Sequence, residues 1–80
     1  MDLGQIRTSI DQVDRDLVEL LNRRLDLVDK VGLYKYIEGL EIENKDRESY
    51  IKDRLINDYD SKDEAILDIF EEIFAVSKAR

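Results

Sequence analysis

The apolar residues between Leu3 and Glu38 constrain this chain more than anything else in it. Leu3, Ile6, Ile10, Val13, Leu17 and Leu20 follow one another at steps of three or four, and after one gap the series resumes at Leu27, Val31 and Tyr34. This is the a/d seam of a heptad repeat carried on one continuous helix. About 35 helical residues span ~50 Å at 1.5 Å per residue, too long to be tucked against the remainder of an 80-residue chain. The pattern predicts half of an intertwined or coiled pair. The gap in the seam falls at Arg24. A guanidinium on the buried line of a helix needs an anionic partner, because an unpaired buried charge is costly. Arg7 and Lys35 stand one step round from the same seam.

Composition narrows the chemistry. There is no proline and there are three glycines, which suits long helices and argues against an all-β fold. Length allows one domain over residues 1–80. A chain this small buries only about 60% of the surface it exposes when unfolded, and without cysteine it has no disulfide staple, so extra core is expected from oligomerisation. With neither His nor Cys there is no imidazole base, no thiolate and no such metal ligand, so no metal and no cofactor is expected. The net charge of −7 speaks against a nucleic-acid groove. No apolar run approaches the ~20 residues of a membrane span, and no basic-then-apolar leader opens the chain; the expectation is a cytoplasmic protein without a membrane partner. Acidic residues on solvent faces, with a few cations turned inward, would leave a positive pocket inside an acidic shell.

Along the chain, Gly32 inside the first helix suggests close approach of another backbone, with a local bend as the plainer alternative. Gly39 fits the left-handed stop after the last turn. Residues 40–45 form a short connection, and Asn44 is a candidate N-cap for a second helix over residues 45–58, with Ile51, Leu55 and Tyr59 on one face. Arg47 and Glu48 lie in its first turn, at the positive end of the helix dipole. A second turn covers residues 59–61. Ser61 and Glu64 read as an S-x-x-E capping box for a third helix from residue 62 to near the end, with Ile66, Ile69, Phe70, Ile73 and Phe74 as its core stripe and Ser77 where that stripe would continue.

Arg24 and Lys35 are 11 positions apart, close to three turns, so they point the same way about 16 Å apart and can converge on one small anion. Arg7 and Arg24 are separated by about 25 Å of helix. If Arg7 joins the same site it must come from a second copy, giving a two-fold dimer with two shared sites. Plainer readings stay open at this point. Arg7 can be a solvated charge, Arg24 the partner of a structural carboxylate, Lys35 a complement to the helix C-terminus, Arg47 and Glu48 ordinary surface charges, and Ser77 a small residue at a tight crossing.

The spacing I-R-x-x-I-D-x-V-D-x-x-L-V-x-L-L-N-R-R-L-x-L-V, followed by V-G-x-Y-K and then D-R-E, resembles the all-helical (type II) chorismate mutases. The likeness runs from Leu3 to Ser77. It implies an all-α fold: a three-helix protomer with one very long N-terminal helix, intertwined as a homodimer whose sites use both chains. It implies an isomerase that rearranges dianionic chorismate to prephenate, the branch step toward phenylalanine and tyrosine. It places Arg7 in the partner's site on one substrate carboxylate, Arg24 on the other, and Lys35 on a carboxylate and the ether oxygen. Arg47 would lie beside the substrate, Glu48 would accept from its ring hydroxyl, Ser77 would touch a carboxylate, and Val31 would line the pocket. Lys35, Arg24 and Glu48 would carry catalysis, and Asn44 stands where the family often has Asp. The family also has a Gln or Glu one turn beyond the Ser77 position. That is position 81, past Arg80: either the sequence stops short of that residue or the ether oxygen relies on Lys35 alone, and a domain cut from a fused enzyme is also allowed.

The reaction is an intramolecular [3,3] shift, which needs no nucleophile, base or metal. It is helped by clamping a compact conformer and by placing positive charge where the ether oxygen becomes negative. Two other functions fit the same residues: an isochorismate pyruvate-lyase with the same cationic pocket, and a catalytically weak helical dimer acting as a regulatory or docking module.

Overall fold

The computed structural model describes residues 2–40, 45–57 and 64–80. They form three helices: α1 (Leu3–Glu38), α2 (Lys45–Asn57) and α3 (Glu64–Lys78). The molecule measures 54 × 25 × 18 Å, and its long dimension is the length of α1, 36 residues at about 1.5 Å each. The expected extent of the first helix is met. The expected second and third helices are met as far as the described residues reach. Asn44 and the Ser61 half of the expected capping box lie outside the described residues.

Local chemistry sets both ends of α1. Asp2 is the N-cap: its carboxylate accepts from the Gln5 N–H at 2.8 Å, and the Gln5 side-chain oxygen accepts from the Asp2 N–H at 3.0 Å. This reciprocal box satisfies two of the amides that a helix start leaves without partners. At the other end Gly39 takes φ 71°, ψ 28°, a left-handed conformation that costs a residue with a Cβ. The Leu40 N–H then reaches the Lys35 carbonyl at 2.8 Å, and the Gly39 N–H reaches that of Tyr36 at 3.4 Å, closing a Schellman motif.

The core of the protomer sits between α2 and α3. Leu55 of α2 and Phe74 of α3 are the buried residues, at 4% and 3% exposure. The Phe70 ring meets Phe74 edge-on, with centroids 6.1 Å apart, and Ile51, Ile66, Leu67 and Ile73 are half-buried around them. Two ion pairs cross between these antiparallel helices: Lys52 to Glu71 at 2.6 Å and Lys78 to Glu48 at 3.3 Å.

α1 has two apolar lines. The inner one, Leu21, Leu25 and Val28, is half-buried, and Leu21 and Leu25 face Ile69, Ile73 and Val76 of α3. The outer one is the heptad seam, whose members from Leu3 to Tyr34 are 42–62% exposed. Residues 2–20 are all exposed, so the N-terminal half of α1 extends past the body of the protomer. One expectation is corrected here. Ile69 is 55% exposed and faces a groove instead of the core, with Leu67 half-buried on α3 in addition to the expected stripe. Gly32 has nothing within 4 Å of where a Cβ would stand, so within the protomer no other backbone approaches it. Among the described residues no helix is long and apolar enough to cross a membrane.

Candidate active site

Arg24 lies on α1 where that helix meets the last turns of α3. Its Nη1 donates to the Ser77 hydroxyl oxygen at 2.7 Å. The Ser77 hydroxyl in turn donates to the Ile73 carbonyl at 2.7 Å, so its proton is committed to its own helix and its lone pair is presented to Arg24. Burial lowers the pKa of the Arg24 guanidinium, and the positive charge of Arg47 lowers it further. Among the described residues no carboxylate forms an ion pair with Arg24. The structural-carboxylate reading of Arg24 therefore does not hold within these residues. Instead, a half-buried guanidinium is held by a neutral hydroxyl and repelled by a second guanidinium.

α2 supplies that second cation from its first turn. Arg47 lies over the Tyr50 ring at 5.2 Å. Arg54 lies over the same ring at 5.5 Å and donates to the Tyr50 hydroxyl at 2.7 Å. Tyr50 is thus a platform that steadies the Arg47 side chain by cation–π attraction. Next to Arg47, Glu48 turns inward with its side chain 19% exposed, and its Oε2 is 3.3 Å from Lys78 Nζ. The acidic side chains of Asp46 and Glu48 in this first turn also suit the helix dipole.

Lys35 is half-buried in the last turn of α1, between exposed neighbours, which turns it toward the body of the protomer on the side of Arg24. Val31, between them, is 52% exposed. Arg7 is exposed in the N-terminal half of α1; 17 positions separate it from Arg24, about 25 Å of straight helix, so one protomer does not bring them together. Below Arg24 and Ser77 runs a groove of about 300 Å³, walled by Leu21 and Leu25 of α1 and by Ile69, Glu72, Ile73 and Val76 of α3. Among the described residues no group of three or more His, Cys, Asp or Glu side chains could hold a metal ion.

One further contact was not anticipated from the sequence. Arg80 grips Asp29 of α1 with two parallel bonds, Nε to Oδ1 at 3.0 Å and Nη2 to Oδ2 at 2.6 Å. This fork-to-fork geometry ties the residues just after α3 to α1, a little over one turn from Arg24. The hydrogen bonds from Arg80, helped by its charge, hold the Asp29 carboxyl below the usual carboxylate range. Lys78 and Tyr50 were missed as well. The arrangement as a whole, cations with a hydroxyl and an inward carboxylate, can bind an oxygen-rich anion.

The family model for chorismate mutase type II matches residues 6–80. The T-protein of Haemophilus influenzae is 44% identical over 46 residues, which is 58% of this chain and 12% of the T-protein. The chain therefore spans a small part of that relative's length. No solved structure matches it.

Proposed function

We propose that this chain, which belongs to the chorismate mutase type II family, converts chorismate to prephenate at a site shared between two copies of itself. The observation that carries this reading is Arg24 itself: half-buried, bonded to Ser77, in the field of the Arg47 charge, and without a carboxylate counter-ion among the described residues. Two guanidinium groups held against their mutual repulsion make a positive potential that a dianion relieves. In this reading Arg24 holds one carboxylate beside Ser77, and Arg7 of the partner subunit holds the other. Lys35 reaches a carboxylate and the ether oxygen, Arg47 lies along the substrate, Glu48 accepts from the ring hydroxyl, and Val31 and Asn44 complete the wall.

The work of the site is to select the compact conformer in which the two ends of the substrate meet, and to stabilise the charge that grows on the ether oxygen as its bond to the ring lengthens. The first is an orientation effect. The second is an electrostatic one, strongest where water is excluded. No proton has to move, which agrees with a site built from Arg, Lys, Glu and Ser. The exposed seam of α1 supports the dimer: a nine-residue apolar line from Leu3 to Tyr34 is more than a monomeric surface ordinarily leaves uncovered.

The test is direct. Purified protein given chorismate should consume it and form prephenate. The same protein given isochorismate separates the lyase reading, which would release pyruvate. Failure to consume either compound would overturn the enzymatic reading and leave the dimerisation module.

A further inference from the structure

Lys78 has no role in the function proposed above, yet its ammonium lies 3.3 Å from the carboxylate of Glu48. It is the residue after Ser77, in the last turn of α3. The two ion pairs described above between α2 and α3 are not equivalent. Lys52 and Glu71 are both well exposed, at 41% and 54%, and their pair spans the outer surface of α2 and α3. In the Lys78–Glu48 pair the carboxylate is 19% exposed, and it stands next in the chain to Arg47, whose charge is felt at Arg24. An exposed ion pair contributes little to stability. A carboxylate turned inward on a side chain with three rotatable bonds has a different need: something must fix its direction before it can recognise a ligand.

We infer that Lys78 is a positioning residue: through its ion pair it holds the Glu48 carboxylate in the orientation that recognises the substrate's ring hydroxyl, and so sets selectivity for a hydroxylated dianion. This rests on the reading of the substrate given above. Lys78 already faces a negative charge, so it is not simply one more cation for the substrate's carboxylates. Its effect is on Glu48, and through Glu48 on one functional group of the ligand. A donor fixed on one carboxylate oxygen leaves the remaining lone pairs free to accept from a hydroxyl.

The experiment compares Lys78→Met, Lys78→Arg and, as a control, Lys52→Met, which removes the Lys52–Glu71 pair and a positive charge felt at Glu48, but not the ion pair to Glu48. The kcat/KM for chorismate is divided by that for its analogue lacking the ring hydroxyl. Lys78→Met should lower this ratio about tenfold, the scale of a hydrogen bond to a charged group. Lys78→Arg should largely restore it, and Lys52→Met should leave it unchanged whatever it does to Tm. A ratio unaltered in Lys78→Met, or equal losses on both substrates, overturns the inference. A second readout does not depend on turnover: the side-chain carboxyl 13C resonance of Glu48 should shift toward its rotationally averaged position in Lys78→Met and not in Lys52→Met. If the protein turns over neither compound, the substrate reading fails by itself. An unmoved Glu48 resonance then overturns the positioning role separately.

Discussion

Under the proposed function Arg24 and Arg47 would set the electrostatic character of the site, and Lys35 would act on a different part of the same ligand. Burial and the neighbouring Arg47 both work against the charged form of Arg24, so an anion bound there removes a repulsion as well as adding an attraction. If Lys35 serves the ether oxygen, its contribution exists mainly in the transition state. Lys35→Ala should then lower kcat by about 100- to 1000-fold, the scale for loss of one donor to a developing oxyanion, with a smaller change in KM. Lys35→Arg should also be poor, because a planar fork does not replace a compact point charge. Steady-state kinetics on both variants checks this, and a change confined to KM would make Lys35 a carboxylate anchor only. At this scale the sequence was informative where a residue broke a pattern. Arg24 interrupts an apolar seam and Ser77 interrupts an apolar stripe, and the fold bonds these two interruptions to each other across 53 positions. Lys78 and Arg80 break no pattern. A basic residue at a helix C-terminus is what the dipole favours anyway, so nothing in the sequence set them apart from solvated charges.

Each helix shows what periodicity can and cannot reveal. The three-and-four spacing found α1, and Gly39 found its end, because a left-handed residue closing a helix is a local requirement that glycine meets. Periodicity found one apolar line on α1 and missed the second. Leu21, Leu25 and Val28 lie beside the seam, and only the packing of α3 shows that the protomer uses them. The Asp2–Gln5 box is a D-x-x-Q version of the capping pattern, legible in principle from the spacing of its two residues. Ile69 was assigned to the core because an isolated helix gives no hint of which side of its apolar arc faces a groove. The tie between Arg80 and Asp29 is a property of two elements together and yields its own prediction. The folded pKa of Asp29 is depressed. Stability from such a group is present above the unfolded value of about 3.9 and is lost as pH falls through the lower folded value. Arg80→Ala should therefore lower Tm modestly at neutral pH and not at a pH well below that range, and it should speed amide exchange in the last turn of α3. Equal effects of Arg80→Ala on Tm across the pH range would contradict the pairing.

The whole protomer is hard to understand as a finished object. Among its described residues two side chains are fully enclosed, Leu55 and Phe74, while the α1 seam and residues 2–20 stand in solvent. A core this small does not offset the conformational entropy of a domain this size. Covering the seam with a second copy would supply the missing burial. The unfolding midpoint should accordingly rise with protein concentration, since association and folding would be one equilibrium; a folded monomer at micromolar concentration in the ultracentrifuge would contradict this. The same arrangement would bring Arg7 of one copy to Arg24 of the other. The most direct measurement mixes two dead proteins. Arg7→Ala and Arg24→Ala homodimers should each be nearly inactive on chorismate, because every site in them lacks one cation. After subunit exchange, each heterodimer would have one site missing both cations and one site intact, so prephenate formation should recover to a substantial fraction of the wild-type rate per heterodimer. Absence of recovery despite demonstrated exchange would contradict the claim that Arg7 and Arg24 serve one site from two chains.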